Sequence, residues 1–123
     1  MSLSKLKPLS TSELKLLFEQ LCIEQYNALE RDEIAAFNRR YDRIQAIQDE
    51  LKSRPGDQRR VLMELFGHRN MQVRLTAAHA TLALDTLAAR RELRAIADSK
   101  WYPQAANASM ALDSLDSGFY KPT

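Results

Sequence analysis

The sequence has very little cysteine, glycine or proline. Its 123 residues include one Cys, three Gly and four Pro. A single cysteine excludes a disulfide framework and a zinc site built from cysteines. β-Sandwiches and barrels need many tight turns, which draw on glycine and proline, so this composition disfavours both folds. The length suits one core, and we therefore expect a single all-α domain over residues 1–123.

A long apolar run and a strong charge bias are also missing. No window reaches the 18 apolar residues of a membrane span, and residues 1–8 lack the apolar centre of a secretory signal. We therefore expect a cytoplasmic protein with no membrane partner. The 18 Lys and Arg residues exceed the 16 Asp and Glu residues by only two, although residues 31–74 hold ten basic and seven acidic side chains.

Two long helices are predicted in the first half, forming a hairpin over residues 11–54. Ser10 and Glu13 have the spacing of a capping box before the first helix. Asp32 is predicted to cap the second helix, which we expect to pack along most of its length. The apolar positions recur every three or four residues in both helices: Leu14, Leu17, Phe18, Leu21, Cys22 and Leu29, then Ile34, Phe37, Tyr41, Ile44 and Leu51.

Four shorter helices are predicted after the break at residues 53–57. Asp57 would cap a helix over residues 58–66 that Gly67 closes, and Asn70 would cap a helix running to about residue 84 or 87. A fifth helix covers roughly residues 88–97, and Pro103 suits the first turn of the sixth. Residues 1–10 and 118–123 are expected to be flexible ends.

An internal repeat is the most specific feature of the sequence. Residues 77–85 read Ala-Ala-His-Ala-Thr-Leu-Ala-Leu-Asp, and residues 105–113 read Ala-Ala-Asn-Ala-Ser-Met-Ala-Leu-Asp, with six of nine positions identical. The offset of 28 residues also pairs Asn70 with Asp98 as candidate caps. Alanines allow helices to approach closely, and we expect Leu82, Leu84, Met110 and Leu112 to fill the layer between two units. A repeat of two antiparallel helices is typical of an α-solenoid.

The segment from Asn70 to Ala80, with Val73-Arg74 followed by alanines, resembles the HEAT-repeat pattern. The resemblance implies two HEAT-like repeats over residues 57–117, with Val73 buried and Arg74 reaching between repeats. The whole chain is similar to a small group of uncharacterised bacterial proteins with an armadillo/HEAT-like domain of unknown function. This similarity implies about six helices in antiparallel hairpins, arranged as a short right-handed superhelix. Trp101 and Tyr102 stand where Val73 and Arg74 stand in the first unit, which suggests a terminal, capping repeat.

No pattern of catalytic or metal-binding residues is present. The sequence has no Gly-rich phosphate loop and no nucleophile elbow. His68 and His79 lie eleven residues apart with no carboxylate at metal-ligand spacing, and the lone Cys22 sits in an apolar stretch. We therefore expect no enzyme activity, no catalytic or metal-ligating residue and no cofactor.

Two functions from different classes remain. The first is a non-catalytic protein-protein interaction module, such as a bacterial immunity or adaptor protein. Its tentative contact residues are Arg69, Arg74, Trp101 and Tyr102, although Trp101 could instead plug the last repeat. The alternative is nucleic-acid binding through a tentative basic surface of Arg39, Arg43, Arg59 and Arg60. The pattern does not decide the oligomeric state.

Overall fold

The computed structural model describes residues 3–123, which contain six α-helices, one 3-10 helix and no strand. The all-α prediction is confirmed for this range. The helices are α1 (Leu3–Leu6), α2 (Thr11–Glu30), α3 (Ile34–Ser53), η1 (Gln58–Leu65), α4 (Met71–Thr81), α5 (Thr86–Asp98) and α6 (Gln104–Asp116). They divide into two compact units that meet in sequence within η1. The N-terminal unit ends at Val61, and the C-terminal unit is Leu62–Thr123.

The capping box that opens α2 is confirmed. The Glu13 backbone N–H donates to Ser10 Oγ at 3.0 Å, and the Ser10 N–H donates to Glu13 Oε1 at 2.9 Å. The two hydrogen bonds satisfy N–H groups that have no partner within the helix, so they fix where α2 begins. One face of α2 is buried, and its buried residues are Leu14, Phe18, Leu21, Cys22, Gln25 and Ala28.

The turn between α2 and α3 is built differently from the prediction. Asp32 does not cap α3. It closes α2 in the left-handed region, with φ +56°. The Glu33 N–H donates to Ala28 O at 2.8 Å and the Asp32 N–H to Leu29 O at 3.2 Å, which is a Schellman motif. The N-cap of α3 is therefore Glu33, whose side chain makes no capping hydrogen bond.

Burial along α3 is uneven, because its fully buried residues lie in the second half, while Ala36, Phe37 and Arg40 in the first half are half-buried. Ile44, Ile47 and Leu51 are buried, whereas Ile34 and Tyr41 are exposed. Within the N-terminal unit, α3 packs against both α2 and α1. Hydrogen bonds from Arg54 to the α1 end place that short helix beside the C-terminal end of α3, so the second half of α3 has two neighbours.

Residues 3–10 were predicted to be a flexible end, but the structure attaches them to α3. Leu6 is fully buried, and Arg54 forms hydrogen bonds to the backbone of this segment. The Arg54 guanidinium donates to Leu6 O at 3.2 Å, to Lys7 O at 3.3 Å and to Glu50 Oε2 at 2.9 Å. Glu50 is itself buried, so this ion pair binds the end of α3 to the start of the chain. Residues 1 and 2 lie outside the described residues.

The short elements of the C-terminal unit are fixed by caps. Gly67 adopts φ +78° just after η1, and Asn70 Oδ1 accepts from the Gln72 and Val73 N–H groups, as predicted. The next boundary differs: α4 ends at Thr81 because residues 82–85 form a turn. Asp85 then caps α5 by accepting from the Ala88 N–H at 3.1 Å.

The first copy of the internal repeat falls on α4 and the turn after it, and the second copy falls on α6. The surroundings of the two copies differ. Val73 is buried, as the resemblance implied, whereas its counterpart Trp101 is exposed. Asp98 is the last residue of α5 and caps nothing, so its predicted equivalence with Asn70 is wrong. Met110 is 65% exposed rather than packed between the two repeats. The shared core of α4, α5 and α6 contains Leu75, Ala78, Leu82, Ala89, Leu93, Ile96, Ala108, Ala111 and Leu112.

Candidate interaction surface

The first turns of α4 and α6 lie side by side at one end of the C-terminal unit. Gln104 Nε2 donates to Gln72 Oε1 at 3.1 Å, and both side chains are buried. Arg69 lies three residues before Gln72, and Trp101 lies three residues before Gln104. This hydrogen bond therefore brings three predicted contact residues, Arg69, Trp101 and Tyr102, to the same end of the unit. We call these three residues the aromatic end.

The aromatic side chains of this end are open to solvent. Trp101 is 53% exposed and Tyr102 is 65% exposed, so neither is enclosed as a plug would be. The loop that carries them is fixed by its backbone: Lys100 adopts φ +60°, the Trp101 N–H donates to Ser99 Oγ at 3.1 Å, and Trp101 O accepts from the Ala105 N–H at 2.8 Å. The large apolar side chains of Trp101 and Tyr102 therefore stand on a fixed loop without being buried.

Arg69 is exposed in a loop that is also fixed at both ends. On one side of Arg69 the Asn70 N–H donates to His68 Nδ1 at 2.9 Å, and the Asn70 side chain caps α4. The Gly67 N–H on the other side donates to Glu92 Oε2 at 2.6 Å. The Arg69 backbone is therefore held between two anchored residues.

Arg74, the fourth predicted contact residue, is engaged inside the unit. Its Nε and Nη2 atoms each donate to one oxygen of the Glu92 carboxylate at 3.0 Å, and Glu92 also accepts from the Gly67 N–H. Both side chains are largely buried. A bidentate pair of this kind ties α4 to α5 and to the turn after η1. Arg74 thus bridges α4 and α5.

The predicted basic surface is smaller than the sequence suggested. Arg59 is buried and forms a bidentate pair with Asp57, with Nη2 2.6 Å from Oδ2, so its predicted place on the surface is wrong. This pairing also lowers the pKa of the Asp57 carboxyl, chiefly through the hydrogen bonds from Arg59. Arg39 and Arg60 are exposed, and Arg43 is half-buried. Further arginines of the central segment are paired internally: Arg40 with Glu24, Arg54 with Glu50 and Arg74 with Glu92.

A groove of about 450 Å³ runs between α4 and α6, farther along the helices than the aromatic end. Leu75 and Ala111 are buried within it, and His79 and Asn107 contribute polar groups. Met110, Ser114, Phe119 and Tyr120 complete its lining. Tyr120 is placed there because Gly118 turns the chain at φ +78° and the Tyr120 N–H donates to Ser114 O at 3.1 Å.

His79 and Asn107 occupy equivalent positions of the repeat, 28 residues apart, and they line the same groove. Neither side chain hydrogen bonds to another residue that the structure describes. Burial lowers the pKa of His79, so its imidazole is neutral near pH 7. The sequence analysis assigned no function to this pair. The repeat offset was the signal that could have found it, because equivalent positions on neighbouring helices face the same way.

A smaller apolar pocket of about 90 Å³ lies at the tip of the α2–α3 hairpin, lined in part by Leu29, Ile34 and Phe37. Across residues 3–123, no three His, Cys, Asp or Glu side chains are grouped as a metal ion would require. None of the helices in that range has both the length and the apolar character to cross a bilayer.

Comparison with known proteins identifies relatives with the same fold. The crystal structure of the protein RPA1889 from Rhodopseudomonas palustris CGA009 superposes with a TM-score of 0.92. The two sequences are 49% identical, over 94% of this chain and 95% of that chain. No curated protein matches the sequence. The model of the family described as Domain of unknown function (DUF2019) matches residues 12–116. The chain belongs to the DUF2019 family.

Proposed function

We propose that the protein is a cytoplasmic, non-catalytic interaction module that binds another protein through its aromatic end. The observation that carries this proposal is the exposure of Trp101 and Tyr102 on a fixed loop at the end of the unit where Arg69 also lies. Trp, Tyr and Arg are the residues most enriched among those that dominate binding energy at interfaces. A rigid loop adds to this, because side chains that are already positioned lose less entropy on binding.

The framework of this module is a short HEAT-like stack over residues 57–117, arranged as a right-handed superhelix. Three observations support it. In each repeat one helix precedes an alanine-rich helix, with η1 before α4 and α5 before α6. Helices α5 and α6 run antiparallel, because Arg90 near the start of α5 pairs with Asp116 at the end of α6. Arg74 on α4 pairs with Glu92 on α5. An adaptor or immunity protein is one kind of protein that would use such a framework.

Nucleic-acid binding has less support as a function. Of the eight arginines in residues 39–74, four are paired with carboxylates inside the chain, namely Arg40, Arg54, Arg59 and Arg74. Phosphate binding draws on cationic side chains whose charge is not already balanced. The pairs therefore balance half of the arginine charge of this segment and include Arg59 of the predicted basic surface.

The test is protein capture from native cytosol with a matched control. Trp101→Ala removes a 53% exposed side chain from the aromatic end, and Tyr41→Ala removes a 51% exposed side chain from α3. We expect one protein to be retained by the wild type and by Tyr41→Ala, and to be lost from Trp101→Ala by at least about tenfold. An identical set of proteins on all three baits would contradict the proposal. Retention on heparin near 0.1 M salt would instead favour nucleic acid.

A further inference from the structure

The pocket at the tip of the α2–α3 hairpin combines apolar walls with two carboxylates, and we call it the tip pocket. Its apolar lining residues come from the end of α2 and the start of α3: Ala28, Leu29, Ile34 and Phe37. The other two lining residues are Asp32 and Glu33, which are both exposed. Within residues 3–123, neither carboxylate pairs with a cationic side chain.

The tip pocket is small and its turn is fixed. Asp32 lies in the left-handed region and the Glu33 N–H donates to Ala28 O at 2.8 Å, so the turn holds both acidic residues in place. The volume is about 90 Å³, whereas pockets for small-molecule ligands measure about 300–1,000 Å³. A pocket of this size suits one side chain of another molecule rather than a whole metabolite.

The lining selects a side chain that is both apolar and cationic. An aliphatic side chain would remove Asp32 and Glu33 from water without offering them a hydrogen bond, and an acidic one would be repelled. Lysine and arginine carry a charged group on an aliphatic stem, so they match both parts of the lining. Arginine matches it better, because its planar guanidinium also stacks on aromatic rings such as that of Phe37.

Among the described residues, no basic side chain lines the tip pocket. Arg31 and Arg40 line a neighbouring pocket, which shares Ala28 and Glu33 with it. Arg40 is engaged by Glu24, with 3.0 Å between Nε and Oε1, and Arg31 is exposed and forms no ion pair with a described residue. The two carboxylates are therefore available to a cation from outside the chain.

The nearby helix ends and side chains preserve this negative charge. The C-terminal end of α2 favours a cation and the N-terminal end of α3 disfavours one, so the two helix dipoles offset each other at the tip. Arg39 lies two residues after Phe37, about 200° round α3 from it. Glu30, exposed at the end of α2, adds a further negative charge nearby. The tip pocket is therefore complementary in charge to an arginine side chain.

We propose that the tip pocket binds one arginine side chain of a partner protein. The aliphatic stem packs against the apolar lining, and the guanidinium donates to the Asp32 and Glu33 carboxylates. This site goes beyond the proposed function, because it belongs to the N-terminal unit, whereas the aromatic end belongs to the C-terminal unit.

The probe is the peptide acetyl-Gly-Gly-Arg-Gly-Gly-amide, titrated into the isotope-labelled chain while its amide NMR signals are recorded. We expect saturable shifts at residues 28–37 with a dissociation constant of about 1 mM, because one side chain makes few contacts. The same peptide with citrulline, which has nearly the shape of arginine and no charge, should bind at least about fivefold more weakly. The double variant Asp32→Asn, Glu33→Gln should weaken binding of the arginine peptide by a similar factor. Asparagine suits the left-handed conformation at position 32, so this variant should keep its turn.

The control is Asp42→Asn, which removes an exposed carboxylate of α3 outside the tip pocket and should bind the arginine peptide like the wild type. Shifts that do not saturate by about 10 mM would overturn the proposal. Equal binding of the citrulline peptide, or unchanged binding by the double variant, would overturn it as well. Partner capture through Trp101 that persists in any of these cases would leave the proposed function standing.

Discussion

The two copies of the nine-residue repeat, one on α4 and the turn after it and the other on α6, are buried to different extents. Ala78 on α4 and Leu82 in the turn after it are fully buried, whereas their counterparts Ala106 and Met110 on α6 are exposed. Both helices pack against α5 and against each other, so the two copies differ in which of their faces the unit covers. Equivalent residues of the repeat are thus part of the core in one copy and exposed in the other.

The largest difference in stability is expected between alanine variants at the matched positions 74 and 102. Arg74→Ala leaves the largely buried Glu92 carboxylate without its cation, and we expect a loss of about 3 kcal/mol in the free energy of unfolding. Tyr102→Ala should stay within about 0.5 kcal/mol of wild type. Urea unfolding of both variants measures the difference, and equal losses would show that position 102 supports the fold as well.

Alanine variants of the matched apolar residues Leu82 and Met110 should show a slightly smaller difference in stability. Leu82→Ala opens a cavity in a fully buried layer and should cost about 2.5 kcal/mol. Met110→Ala should change stability by less than about 0.5 kcal/mol, because the side chain is 65% exposed. Thermal unfolding of both variants checks this. A large loss of stability for Met110→Ala would mean that the Met110 side chain is covered in solution.

Enlarging the paired alanines tests the same contrast from the opposite direction. Ala78→Leu forces added atoms into a packed core and should destabilise the protein by about 2 kcal/mol. Ala106→Leu adds the same atoms at an exposed site of α6 and should be nearly neutral. The same midpoint of urea unfolding for both variants would contradict the difference in burial between positions 78 and 106.

The smallest expected effect is a pH dependence from His79. Burial lowers its pKa in the folded protein, so the unfolded chain binds the proton more readily. Stability from this group is therefore present above the unfolded pKa of about 6.5 and is lost as pH falls through the folded value. Tyr120 is the other titratable side chain that lines the groove.

His79→Asn, which gives α4 the residue found in α6, should remove that loss. The measurement is urea unfolding of wild type and variant at pH 7 and pH 5. His68 is present in both proteins and serves as an internal control. An unchanged difference between the two pH values in His79→Asn would contradict the assignment.

Local signals made much of the fold predictable from the sequence. The capping box at Ser10, the Asn70 cap and the glycine after η1 act within a few residues, so the chain itself specifies them. Contacts between distant residues could not be predicted in this way. Leu6 is buried where α1 packs against α3, and Arg54, 48 residues away, donates a hydrogen bond to its carbonyl oxygen.

The candidate surface shows the same limit. Composition singled out Trp101 and Tyr102, but only the Gln72–Gln104 hydrogen bond shows that Arg69 lies at the same end. Arg59 and Arg74 looked like surface cations because a sequence does not show which carboxylates pair with them. Asp32 looked like a cap because an aspartate suits both a helix start and a left-handed turn, and the hydrogen bonds to α2 decide for the turn.

The most direct test of the aromatic end is the free energy of unfolding of Trp101→Ala, measured by urea titration beside partner capture. A contact residue should leave stability within about 0.5 kcal/mol of wild type while capture is lost. A residue that plugs the end of the unit should cost about 3 kcal/mol when removed. A loss of that size would contradict the assignment of Trp101 to a protein-binding surface.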